Sequence, residues 1–275
     1  MKKTKLFGSI TVVALIVIAI TVAVIGYGTN KKTEKGLLTL KTIEKTFQTQ
    51  GVLIEEDKSK SSKDFELNGN RPDIYNIEKD NGTLLVYMFK SIGKRQDIVY
   101  DFFEDIQGLG PVAPFEAKNV YLVYMAPVSD DGSYVDWKSV SETKLLISDI
   151  VFKYLNEGKE VVYIGESTSW IGTYTLKYHE NFWDDETGKL NYESNHQGVP
   201  EIQYKMKDIE DVGPIEFEYK TNSGGGSSKG LTLKKDGYSN FGSSGGSGSF
   251  IGPDQEITFI IKWNGMEENM ILKAE

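Results

Sequence analysis

Asp184, Asp185 and Glu186 stand together in the stretch NFWDDETGK, and Asp130 and Asp131 sit beside a glycine in VSDDGSY. Clustered carboxylates are hard oxygen donors that ligate Ca²⁺. A pair of them can also divide the roles of acid and base in glycoside hydrolysis. Neither stretch has the spacing of an EF-hand loop, and acid–glycine turns are also ordinary hairpin chemistry. Asp184, Asp185 and Glu186 are therefore the candidate Ca²⁺ ligands, and the same carboxylates are the candidates for hydrolysis. The two histidines, His179 and His196, are 17 residues apart with no third ligand at a recognised spacing, so they form no zinc signature. The pattern places His179 on the polar face of a strand and His196 in a loop.

Two glycine-rich tracts imitate catalytic motifs. GSSGG at 242–246 matches the G-x-S-x-G nucleophile elbow. An elbow needs a helix after the serine and a later histidine; here no helical pattern follows and both histidines precede. Gly225 and Gly230 have the spacing of the outer glycines of a P-loop, but Leu231 stands where lysine is required. Turn chemistry explains both tracts. Trp170, Tyr174 and Tyr178 share one face of a strand. Such a face can stack on sugars, but on a sandwich strand it forms the core. The chain has no cysteine, which excludes disulfides, thiolate catalysis, Cys-ligated metals and a lipid-modified N-terminal Cys. No cofactor is indicated.

Composition and the N-terminus bear on location. Lys2, Lys3 and Lys5 precede a stretch from Leu6 to Asn30 without a charge, within which residues 10–25 are the strongest apolar run. A helix rising about 1.5 Å per residue over this stretch crosses the ~30 Å hydrocarbon core of a bilayer. A cleaved signal peptide has a shorter apolar region followed by an A-x-A-like site, which is missing here. The expectation is an uncleaved signal anchor over 1–30, in the membrane through residues 6–28. A spacer follows at 31–36, and the N-terminal lysines stay inside so that residues 31–275 are extracytoplasmic. Beyond the first thirty residues the chain carries 28 bases against 40 acids, a net charge of −12. An acidic body repels phosphate backbones, so nucleic acid is not an expected partner.

The elements that must position these residues fall into two groups. Over 37–158 the expected order is α-β-β-β-α-β-α, an α+β or α/β sandwich. Leu37, Leu40, Ile43 and Phe47 have helical spacing, Asp80-Asn81-Gly82 separates two apolar runs as a hairpin does, and Ser141 is a possible cap for the last helix. Gly108, Gly110, Pro111 and Pro114 read as breakers. Over 159–275 short strands without a clear helix predict an all-β, immunoglobulin-like sandwich. LTLKK is one of its strands, and Asn264-Gly265 makes a primed turn. Only some twenty residues follow Gly252, and they form a single hairpin that cannot fold alone. The glycine tracts therefore lie inside this domain.

The segments NGTLLVYMF, GTYTLKYHENFWDD and GSSGGSG resemble those of uncharacterised surface lipoproteins and membrane-anchored proteins of Bacillus-like Gram-positive bacteria. The resemblance implies attachment to the outer face of the membrane and carries no functional residues. The chain departs from the lipoproteins in having no Cys for a lipid. The expected function is a membrane-tethered binding or accessory module without catalysis, its partner an envelope protein or glycan. The alternative is a cell-envelope hydrolase using the carboxylates named above.

Overall fold

The computed structural model describes residues 36–106, 112–128, 137–185 and 187–275. The expected membrane segment, spacer residues 31–35, Asp130, Asp131 and Glu186 lie outside the described residues. Among the described residues, no helix is long and apolar enough to cross a membrane. The protein is mostly β-sheet with few helices.

The N-terminal part contains α1 (Leu40–Thr49), β1 (Ile54–Glu56), β2 (Asp73–Ile77), β3 (Thr83–Met88), α2 (Ile92–Ile106), β4 (Val112–Ala117), β5 (Val120–Met125) and α3 (Trp137–Ile150). α3 runs on into a π-helical turn, Val151–Leu155. The five strands make one antiparallel sheet in the order β1-β2-β3-β5-β4. Helices cover both faces. Ile43 and Phe47 of α1, with Ile147, Ile150 and Leu155, pack on Leu84, Val86, Leu122 and Tyr124. On the other face Leu85, Tyr87, Tyr121 and Val123 meet Ile98 and Val99 of α2. Burial on both sides explains why TLLVYM and VYLVYM are unbroken apolar runs rather than alternating ones.

The expected element order omits β4. Its Pro114 lacks an amide hydrogen and reads as a breaker, but β4 pairs only with β5 and lies at the sheet edge, where proline is tolerated. Ser141 is not a cap either, because the chain is already helical at Trp137. The hairpin at residues 78–82 forms as expected, with Asn81, not Gly82, at φ +61°. Gly82 is needed for space: a Cβ there would lie 2.5 Å from the Tyr124 ring.

The C-terminal part is a nine-stranded sheet. Its strands are β6 (Lys159–Glu166), β7 (Trp170–Asp184), β8 (Leu190–Tyr204), β9 (Ile215–Thr221), β10 (Gly224–Leu231), β11 (Tyr238–Asn240), β12 (Ser244–Gly246), β13 (Ile257–Trp263) and β14 (Met266–Ala274). The order is β10-β9-β13-β14-β6-β7-β8-β11, and β12 also pairs with β8. The sheet folds on itself. β10-β9-β13-β14 forms one leaf, β6-β7-β8 with β11 and β12 the other, and they are joined where Lys273 and Ala274 pair with Ile164 and Tyr163. Between the leaves Trp170 meets Trp263 edge-on at 5.2 Å, and Tyr174 lies 5.5 Å from Tyr219. This is a sandwich or barrel-like fold. It differs from the expected immunoglobulin-like pair of separate sheets, because backbone pairing connects the leaves.

The glycine tracts are strands of this sheet. GGGSSKGL is β10 itself, so the expected strand LTLKK contributes only Leu231. β12 pairs Gly245 with Gln197 and Gly246 with His196, which places His196 on a strand and not in a loop. The final hairpin turns at Asn264 and Gly265, both at positive φ, as a primed turn requires. β13 docks on β9 and β14 on β6, so the chain path is fixed on both sides of the tracts.

Candidate functional site

β7 and β8 are each 15 residues long and pair without a slip from Trp170↔Tyr204 to Asp184↔Leu190. Side chains on a strand alternate faces. Along the first half of β7 the buried residues are Trp170, Tyr174, Leu176 and Tyr178, all facing the sheet core. Beyond His179 the buried residues become Asn181 and Trp183, on the opposite face, while Phe182 is exposed. Since the register is unbroken, the ribbon has not slipped; its surroundings have changed. The distal half leaves the β-core and lies against the α+β part as an arm.

Arg95, in the first turn of α2, secures the arm. Its side chain has no exposed surface. Nε donates to the Lys118 carbonyl at 2.6 Å, and the two terminal nitrogens bond Glu116 of β4 and Glu193 of β8. Gln96 Nε2 also donates to Glu193, at 2.8 Å. Burial lowers the Arg95 pKa and the Glu193 carboxylate opposes that, so the guanidinium stays charged. Trp183 packs over Gly93, where a Cβ would sit 3.6 Å from the indole nitrogen. Cations are disfavoured at a helix N-terminus, so the position of Arg95 makes sense through its two carboxylates.

Between arm and α+β part lies a cleft of about 880 Å³, within the size range of small-ligand sites. Its floor is the outer face of the ribbon. Two cross-strand pairs, Lys177↔Gln197 and His179↔Asn195, make a polar quartet there. Its wall carries Phe115 of β4 and Phe152 and Asn156 at the end of α3. The π-helical turn presents these last two. Asn156 Nδ2 donates to the Glu116 carbonyl at 2.8 Å, and the Phe152 ring lies 6.4 Å from that of His179. π-Helical turns recur at functional sites, where the extra residue re-aims side chains.

The charges of the cleft are largely balanced. Glu116 and Glu193 share Arg95, Asp149 pairs with Lys153 at 3.3 Å, and Lys177 lies 3.9 Å from Glu160. Burial lowers the His179 pKa, with Glu193 raising and Arg95 lowering it further, so the imidazole is neutral at neutral pH. What the site offers a ligand is hydrogen-bonding amides, a neutral imidazole and aromatic walls.

The residues expected to do chemistry lie elsewhere. Asp184 ends β7 and Asp185 begins the turn at the far tip of the arm. Oδ1 of Asp185 accepts from Thr187 N–H and O–H at 2.9 and 2.6 Å and from Lys189 N–H at 3.0 Å. These bonds, led by the Thr187 hydroxyl, hold its pKa down at about 2. Glu186 lies outside the described residues, and no group of three potential metal ligands forms among the described ones. His179 and His196 sit on opposite faces of the ribbon: His179 faces the α+β part, whereas His196 opposes Tyr178, its ring tilted against that of Phe250 at 5.6 Å. They cannot share one ion. Trp170, Tyr174 and Tyr178 are core residues, as expected.

Sequence reasoning missed Arg95, Glu193, Asn195 and Gln197. The stretch YESNHQG is polar without a break from Glu193 to Gln197, so no alternation singles out the last three. The chain matches no protein-family model, no curated protein and no solved structure in comparisons with known proteins.

Proposed function

We propose that this protein is a membrane-tethered, extracytoplasmic binding module, and that the cleft between its two parts holds the ligand, a neutral glycan segment. In this reading an α+β domain (37–158) and a β-sandwich domain (159–275) are carried outside the cell by an N-terminal signal anchor. The apolar run at 10–25 and the three lysines before it support the tether. The resemblance to membrane-anchored proteins of Bacillus-like bacteria points the same way.

The observation that carries the ligand class is the cleft's balance. Its charged groups are already paired; Gln197 Nε2 also donates to Ser243 at 3.0 Å, and the Asn195 amide, the Gln197 carbonyl oxygen and the His179 imidazole face the cleft with Phe115 and Phe152. Neutral sugars present hydroxyls and amides to such groups and an apolar ring face to aromatics. The competing reading, hydrolysis by Asp184, Asp185 and Glu186, places its first two carboxylates at the arm's tip, outside the cleft lining.

Calorimetric titration of the full chain with N-acetylglucosamine oligomers tests this. Saturable uptake is expected, weakened at least about tenfold by Asn195→Ala with Gln197→Ala and unaffected by Asp184→Asn; each 1.4 kcal/mol of lost contact is tenfold. No uptake, or uptake indifferent to the quartet, overturns the ligand assignment. Sugar cleavage lost on Asp184→Asn favours the hydrolase.

A further inference from the structure

The arm has a second face, turned away from the Arg95 clamp. Phe182 and Tyr192 oppose each other across the strands, 59% and 46% exposed, with ring centroids 4.8 Å apart. Leu190, 65% exposed, stands two residues along. The Tyr192 hydroxyl donates to Glu180 at 3.1 Å. Three large apolar side chains thus share a solvent-facing patch on a ribbon braced from behind by Trp183 and Arg95.

We propose that this patch docks on the surface of the same lipid bilayer that holds the N-terminal segment; the inference rests on the tethered reading above. The chain outside the structure supplies the reason. The described fold begins at Gly36, and the expected membrane segment ends at residue 28. At about 3.4 Å per residue the seven intervening residues reach at most roughly 24 Å, so on this reading the fold stays in the neighbourhood of the membrane. The chain also enters the fold beside the clamp. Leu38 N–H donates to Asn119 at 2.7 Å, and the adjoining Lys118 carbonyl receives Arg95, which holds Glu193, the neighbour of Tyr192. Tether and patch are linked through this short chain of contacts.

The chemistry fits the interfacial layer. Aromatic rings carrying a polar tip concentrate at the boundary of headgroups and acyl chains. Asp184 and Asp185 at the turn keep the tip at headgroup depth and make anionic lipid the poorer surface. Three partly exposed side chains bind a bilayer weakly on their own. A short tether raises their effective concentration to the millimolar range or above, and weak docking then suffices.

The absence of cysteine gives a clean test. Lys189→Cys at the arm's tip and, as a control, Lys235→Cys in a distant loop are each labelled with a nitroxide in the full chain, reconstituted into phosphatidylcholine vesicles. Vesicle flotation reports the tether. Collision with oxygen and with a water-soluble nickel chelate reports docking. Expected is a chain that floats, with the label at 189 several-fold less accessible to nickel than the label at 235. Adding Phe182→Ser and Tyr192→Ser should abolish that difference without affecting flotation. A floating chain with equal accessibility at both sites overturns the docking and leaves the tether standing. A chain that does not float overturns the tethered reading, and the docking falls with it. Protection that vanishes on diluting protein within the vesicles assigns the patch to a second copy of the chain and equally overturns the proposal.

Discussion

The two halves of the β7–β8 ribbon are covalently continuous, evenly paired and built from the same alternation, yet they bury opposite faces. In the proximal half Trp170, Tyr174 and Tyr178 are inside and Lys177 and His179 outside. In the distal half Trp183 is inside and Phe182 outside. No bulge marks the switch. A strand's buried face is set by what packs on it, and between Tyr178 and Asn181 the partner changes from the β-core to helix α2. The polar quartet lies at this handover, where neither partner covers the ribbon completely, and there the cleft opens.

Several substitutions can break or sharpen this comparison. The largest effect belongs to Arg95→Ala. Removing Arg95 leaves the largely buried Glu193 carboxylate and a backbone carbonyl without their partner, at a cost of about 3 kcal/mol or more in urea denaturation. Next come the neighbours Trp183 and Phe182. Trp183→Ala should cost about 3 kcal/mol, whereas Phe182→Ser should stay within about 0.5 kcal/mol. Equal costs would mean that the distal half buries no preferred face. In the proximal half, a Cβ at Gly198 would lie 1.8 Å from the Tyr174 hydroxyl and one at Gly245 2.6 Å from the His196 carbonyl, while one at Gly246 finds its nearest atom at 4.0 Å. Gly198→Ala and Gly245→Ala should each cost roughly 1–3 kcal/mol, and Gly246→Ala almost nothing, by thermal melts.

The smallest effect is a pH dependence. Burial depresses the folded-state pKa of His179 below the ordinary 6.5. Above pH 6.5 the residue is neutral in folded and unfolded chains alike. As pH falls below that value the unfolded chain takes up the proton first, and stability is lost until the folded-state pKa is passed. A His179→Gln chain should lack this component, so the difference between the two stability–pH curves should slope below pH 6.5 and flatten above it.

Much of the fold was legible where one partner governs an element. Helix α1 follows Ile43 and Phe47, the hairpin at Asn264-Gly265 follows its turn residues, and the glycine tracts fall inside the domain because the last hairpin has nothing else to cover it. Legibility failed where a residue's meaning depends on position in the sheet. Pro114 hid β4 because a sequence does not say which strand lies at an edge. The alternation after Tyr178 broke because the α+β part supplied the partner. At Gly82 and Gly158 the size of glycine is what matters: the preceding Asn81 and Glu157 take positive φ, and a Cβ on Gly158 would lie 2.5 Å from the Phe152 ring. The candidate site was the least legible part. Arg95 and Glu193 are 98 residues apart and carry no motif. Asp184 and Asp185, conspicuous in sequence, serve the turn and tip of the arm.

The claim that the distal ribbon is an arm held by Arg95 is tested most directly by a double-mutant cycle. Unfolding free energies are measured for the original chain, Arg95→Ala, Glu193→Ala and the double variant. The two positions lie in different parts of the molecule and meet only if the arm lies on α2. The account predicts that the double variant is less destabilised than the sum of the single ones, by a coupling of about 1.5–3 kcal/mol. Additivity within about 0.5 kcal/mol would contradict it, because it would mean that Arg95 and Glu193 do not meet in the folded protein.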